Sequence, residues 1–197
     1  MNHLGTVTLE TEHLILRKFR ISDIEPFYRN MASDPDAVRF LNWGVHKNTY
    51  ITKNTIERAI ADSEYPESYI WCIELKSIGE SIGSILVTRL DPKSEKARVG
   101  YYIGSRFWGF GYMTEALSRV IRFLFEKVGL LYIECEHDVK NMASGKVMQK
   151  CGMELERTRK AASVNNSGLC DTAIYGLYYS DYERLKDKTE FKHIYES

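Results

Sequence analysis

Nothing in this sequence supplies a scaffold of cross-links or metal ions. Its 197 residues include only four cysteines, Cys72, Cys135, Cys151 and Cys170, and no Cys-x-x-Cys pair. No disulfide framework is indicated, and the four read as reduced thiols. Five histidines are scattered without a His-Glu-x-x-His pattern, so no metal is expected. Charge of one sign is also missing, since Lys plus Arg is 27 and Asp plus Glu is 27. General nucleic-acid and membrane-surface binders carry excess positive charge, so neither partner is expected. No apolar run approaches the ~20 residues that span a bilayer. Met1 to Glu12 lacks the basic-then-apolar order of a secretory signal. A cytoplasmic protein is expected.

What is present is ordinary globular material, 44% hydrophobic and 27% charged. The length suits a single domain, residues 1–197 with a core from about 9 to 183 and a short tail. A chain of this size buries about 70% of its unfolded surface, enough for a core without cross-links. Leu14 to Phe19 reads as a first strand, and Asp23 as the cap of a helix through Met31. Asp34-Pro35-Asp36 breaks that helix, and a second covers about Thr52 to Asp62. Tyr69 to Leu75 and Ser81 to Leu90 read as paired antiparallel strands around a turn near Gly79. Strands are also expected at Val99 to Ile103, Leu131 to His137, Met153 to Lys160 and Cys170 to Tyr178. Helices run from the glycine turn after Val99 to Ile103 to about Lys127, then from Asn141 to Cys151 and from Asp181 to Lys188. Antiparallel strands come first and strand-helix-strand units later, which predicts a mixed α/β sheet.

The most informative stretch is Arg106-Phe-Trp-Gly-Phe-Gly-Tyr-Met-Thr-Glu-Ala-Leu117. Gly109 and Gly111 sit between a strand and a helix whose apolar residues, from Met113 to Val128, recur at three-and-four spacing. A glycine turn feeding a helix N-terminus gathers free backbone N–H groups and the positive end of the helix dipole. That suits a diphosphate. The bland alternative for both glycines is a tight turn.

Four segments in order carry a family resemblance. They are Leu9-Glu-Thr-Glu-His-Leu-Ile-Leu-Arg17, Gly100-Tyr-Tyr-Ile103, the Arg106-x-x-Gly109-x-Gly111 turn, and Asn141-Met-Ala-Ser144 followed by Lys150-Cys-Gly-Met153. Together they resemble the GNAT superfamily of acyl-CoA-dependent N-acyltransferases, in its branch of ribosomal-protein N-terminal acetyltransferases. The resemblance implies a mainly antiparallel sheet with a splayed central parallel pair flanked by helices. It implies acetyl-CoA as cosubstrate, a small-molecule or peptide amine as acceptor, and the homodimers some relatives form.

By the same resemblance, backbone groups of Phe107, Trp108, Gly109, Phe110, Gly111, Tyr112 and Met113 hold the pyrophosphate, with Arg106 opening the turn. Main-chain groups of Tyr102 and Ile103 bind the pantetheine arm, and Asn141 binds the arm or a water. Ser144 protonates the departing thiolate. Each has a plainer alternative: core packing for Trp108, Phe110 and Tyr112, a helix cap for Asn141, a solvent-facing serine for Ser144. Trp43, Tyr50 and Tyr69, with the loop Asn165 to Leu169, are candidates to line the acceptor side.

The base is where the chain departs from its relatives. Arg98 stands where many carry an acid, and Ser163 where some carry a glutamate. Glu136, five residues before Asn141 and on one strand face with Tyr132 and Glu134, is the leading base candidate. His137 is a weaker one, and a solvated or lysine-paired Glu136 the alternative. Two rival functions compete. One is a nicotinamide-dinucleotide module, since Gly109-x-Gly111-x-x-Thr114 approximates its fingerprint. The other is a silent acyl-CoA-binding sensor, suggested by the missing carboxylates. A P-loop is excluded because no Gly-Lys-Ser/Thr follows.

Overall fold

Eight strands form one sheet in the computed structural model, which describes residues 1–188. They are β1 (Leu9–Glu10), β2 (Leu14–Arg17), β3 (Ile70–Leu75), β4 (Glu80–Asp91), β5 (Lys96–Ile103), β6 (Tyr132–Asp138), β7 (Glu154–Asn165) and β8 (Gly168–Tyr178). Their spatial order is β1-β2-β3-β4-β5-β6-β8-β7. Only β5 and β6 run parallel; every other neighbouring pair is antiparallel. This is the mixed, mainly antiparallel sheet the sequence implies. A dinucleotide module needs a run of parallel strands, which a single parallel pair does not supply.

The main helix, α4 below, explains the sheet's larger core. The first three helices are α1 (Ile24–Phe27, continued by a wide turn Tyr28–Ala32), α2 (Pro35–Val38) and α3 (Thr49–Asp62). Then come α4 (Tyr112–Phe123, continued by a wide turn Leu124–Val128), α5 (Met142–Lys150) and α6 (Tyr179–Leu185). Ala116, Leu117, Val120, Ile121 and Leu124 form one stripe of α4, and all are fully buried. They pack on Val99, Ile133 and Cys135, inward-facing residues of β5 and β6. On the opposite face, Phe27 and Met31 beside α1 and Ile56 of α3 form a smaller cluster against Cys72 of β3.

Three local expectations change. Asp23 does not cap α1 through its side chain. Its carboxylate takes the buried Arg17 guanidinium at 2.7 and 2.8 Å and the Arg20 N–H at 2.7 Å. A buried charge needs such partners, and this one found an arginine. Helix α3 begins at Thr49 because Asn48 accepts the Ile51 N–H, an available cap the apolar pattern does not reveal. The last two strands extend to a two-residue turn, Asn166-Ser167, so the expected loop is the tip of a long hairpin. Ala161, with φ of 47°, interrupts the pairing between Arg159 and Ser163 and hides the continuity.

Between β5 and the glycine turn, Gly104 lies against the main chain that follows α1. A Cβ there would fall on the Asn30 carbonyl oxygen, with the Phe107 ring 3.3 Å away. Backbone cannot yield cheaply. Gly104→Ala is expected to lower stability by about 2–3 kcal/mol, read as the midpoint of urea unfolding; an unchanged midpoint would refute this packing.

Candidate active site

Strands β5 and β6 pair over only four residues, from Lys96–Tyr132 to Val99–Cys135. Beyond them β5 continues along β4 to Ile103, while β6 continues along β8 to Asp138. The two strands therefore part like a V. A cavity of about 510 Å³ lies against this opening, bounded by the end of β5, the glycine turn, α2 and α5. Tyr101 spans from β5 to α5: its hydroxyl donates to the Ser144 carbonyl at 3.0 Å. Burial pushes this phenol well above its ordinary pKa, so it stays a donor.

The turn is built on positive φ. Gly109 and Gly111 have φ of 84° and 86°, the left-handed region that a Cβ disfavours. Space above both is open, so conformation rather than crowding demands glycine. A short 3-10 turn, Ser105–Phe107, leads in. It is tied to α2 by the Ser105 N–H, which donates to Asp34 at 2.8 Å. Burial pulls the Asp34 carboxyl upward, but bonds from Ser105, Ala37 and Asp36 outweigh it and leave it below its ordinary value. The backbone N–H groups of residues 109–114 find no acceptor among the described residues. Six donors thus converge where α4 presents the positive end of its dipole.

Most of the expected residues meet here. Tyr102, Ile103, Phe107, Trp108 and Gly109 line the cavity, as do Gly111, Tyr112 and Met113. Asn141 and Ser144 line the α5 side. Asn141 also caps α5, its side chain accepting the Ser144 N–H at 3.3 Å. The Trp108 indole donates to the Ile103 carbonyl at 3.1 Å, which closes the strand's exposed end.

Other expected residues lie elsewhere. Arg106 turns away over the Phe107 ring, toward the Asn30 side chain at 3.4 Å. Phe110 is exposed and stacks on Tyr112 outside the cavity lining. Glu136 stands between two arginines, Arg98 and Arg159, each at 3.0 Å from one of its oxygens. His137 donates from Nδ1 to the Asp138 carbonyl at 2.7 Å, while Nε2 is buried beside Gly145. Neither nitrogen opens on the cavity. On the acceptor side Tyr69 belongs to the core, with its hydroxyl on Leu4 and Asn2, and Tyr50 is exposed on α3. Trp43 packs on Tyr102 and His46 behind the lining.

Sequence reasoning missed Tyr101, Asp36 and the lysines Lys140, Lys146 and Lys150, all in the lining. Lys146 and Lys150 are four apart on α5, so a helical plot places them on one face. It also missed a clasp. Asn166, at the hairpin tip, donates through its side chain to Val38 and Trp43 carbonyls at 2.9 and 2.8 Å and through its N–H to Leu41 at 3.1 Å.

A sheet parted at its one parallel pair, with a glycine turn starting the helix behind the gap, defines an acyl-CoA-type transferase fold. Residues 13–154 match the family model for the acetyltransferase (GNAT) domain. The chain belongs to the GNAT family and is an N-acetyltransferase. It is 25% identical over 175 residues to the uncharacterized N-acetyltransferase p20 of Bacillus licheniformis, covering 89% of this chain and 98% of that one. Among solved structures it resembles the ribosomal-protein-S5-alanine acetyltransferase of Vibrio fischeri, with TM-score 0.78, 19% identity, and 89% and 98% of the two chains covered. It also resembles the microcin C7 self-immunity acetyltransferase MccE, solved with acetyl-CoA and AMP, with TM-score 0.77, 21% identity, and 85% and 93% covered. At these identities the structures speak to the fold alone.

Behind the acceptor side, His46 is buried with Nδ1 2.9 Å from the Thr52 hydroxyl. Burial lowers its pKa from the ordinary value. The unfolded chain therefore takes up this proton more readily than the folded one. The stability it contributes is complete above the unfolded value, ~6.5, and is lost as pH falls through the folded value. His46→Gln is expected to flatten the drop in urea midpoint between about pH 7.5 and about pH 5; parallel curves for both proteins would contradict this.

Proposed function

We propose that this chain is a single-domain enzyme that moves the acetyl group of acetyl-CoA directly to a primary amine. One observation carries the reading: backbone N–H groups of Gly109, Gly111, Tyr112, Met113 and Thr114, without an acceptor among the described residues, border a cavity that opens where β5 and β6 part. Such donors fit a pyrophosphate, and Lys140, Lys146 and Lys150 add positive charge on the α5 wall for further phosphate. The edge of β5 from Gly100 to Ile103 lacks a strand neighbour on the β6 side, which suits an extended pantetheine arm. Four free cysteines support a reducing, cytoplasmic setting.

Acetyl-CoA supplies an acetyl group activated as a thioester. Of the Tyr102 and Ile103 main chain, the Ile103 N–H, which faces away from β4, is the candidate to polarise the thioester carbonyl. Ser144, which lines the cavity on the α5 wall next to Tyr101, is the candidate to protonate the leaving thiolate, with Asn141 holding the helix end in place. The amine must be neutral to attack, and an α-amine at about 8 loses its proton more easily than a lysine at about 10.4. Glu136, paired with Arg98 and Arg159 outside the cavity lining, is the candidate to receive that proton through water. The acceptor is a peptide N-terminus or a small amine.

Calorimetric titration with acetyl-CoA and a thiol-release assay over a panel of amines test this reading. Gly111→Val, which forces a branched residue into positive φ, is expected to weaken acetyl-CoA binding at least about tenfold. Ser144→Ala is expected to bind normally and turn over about 100-fold more slowly. A folded wild-type protein that binds no acetyl-CoA would refute the proposal. Binding without turnover of any amine would favour the sensor instead.

A further inference from the structure

The cavity wall is chemically lopsided. Its cations, Lys140, Lys146 and Lys150, belong to the α5 side, and the one acid among the lining residues is Asp36 on α2. Nearby carboxylates are committed elsewhere. Asp34 accepts from Ser105, Asp36 and Ala37. Glu80 holds Arg29 and Asn30, and Glu136 holds Arg98 and Arg159. The Asp36 carboxylate has no hydrogen bond or ion pair with any described residue.

Its position is nonetheless fixed at both ends of α2. Pro35 occupies the first helical position and Asp34 caps it, while Asn166 grips the Val38 carbonyl from the hairpin tip. An unpaired carboxylate on a helix this well anchored is preorganised to receive a cation. Beside it the same wall offers Ala37, Phe40 and Leu41, apolar surface suited to methylenes.

We infer that Asp36 is the acceptor-side anchor of this enzyme and that it selects a short aliphatic diamine, holding the ammonium that is not acetylated while the other nitrogen reacts. The inference rests on the acetyltransferase reading above. Asp36 is a specificity residue: it holds the substrate's far end, and the methylenes lie along Ala37, Phe40 and Leu41. Because Asp36 is exposed, the pairing is modest and salt-sensitive.

Two conjugates separate this inference from the reading beneath it. In one, coenzyme A is joined through an acetyl bridge to diaminobutane, ending in an ammonium. In the other it is joined to pentylamine, which has the same length and ends in a methyl. Wild type is expected to bind the cationic conjugate about fivefold tighter at low salt. Asp36→Asn is expected to bind the two alike, with its affinity for coenzyme A unchanged. Equal binding by wild type, or a preference kept by Asp36→Asn, overturns the role of Asp36 and leaves the acetyltransferase reading intact. A wild type that binds neither conjugate nor coenzyme A overturns both.

Discussion

The parting of β5 and β6 after four residue pairs is the constraint from which the site follows. A strand edge inside a sheet exposes backbone donors and acceptors that must find partners. Here the edge from Tyr101 to Ile103 faces a cavity. The molecule holds the gap open with rigid parts. On one side α4 packs its fully buried stripe against both strands below the fork. On the other, the Tyr101 hydroxyl reaches the Ser144 carbonyl and fixes the spacing between β5 and α5. An unfilled polar edge held open this way is a binding site for something with the hydrogen-bonding pattern of a strand.

The same economy of backbone governs the turn. Recognition of a diphosphate by side chains requires arginines or lysines to be ordered at some entropic cost. Six N–H groups at a helix start are ordered already, and two left-handed glycines aim them. Arg106, the side chain most expected to help, points to Asn30 instead. With Asp34 on Ser105 and Gly104 against Asn30, that contact ties the turn to the segment after α1. The cofactor side and the acceptor side are thus joined through one set of contacts.

Much of this was legible because backbone conformation leaves strong marks in sequence. Gly109 and Gly111 before a helix with three-and-four spacing declare the turn, and the Asn141 to Ser144 segment declares the second helix. The mixed sheet follows from strand order. What stayed hidden depends on distant partners. Nothing near Asp23 says that Arg17 will take its carboxylate, and nothing near Asn166 says that it will clasp Val38 and Trp43. Tyr69 reads as a pocket aromatic until its burial beside Trp71 and Phe123 is seen. Glycine turns and helix faces are short-range facts, whereas pocket walls are assembled from segments as much as 128 residues apart.

The base illustrates the limit most clearly. The family resemblance leads one to expect an acid at position 98, and an arginine there looks in isolation like a lost function. In the fold, Arg98 lies between Glu134 at 2.7 Å and Glu136 at 3.0 Å, and Arg159 closes the far side of Glu136. An acid at 98 would face two carboxylates across the parallel pair and repel both. Position 98 and the glutamates of β6 are therefore one electrostatic unit. A catalytic carboxylate cannot be counted as present or absent from a single sequence position. Whether Glu136 is free to take a proton depends on whether its arginines stay, and the arginine of β5 stays because two acids hold it.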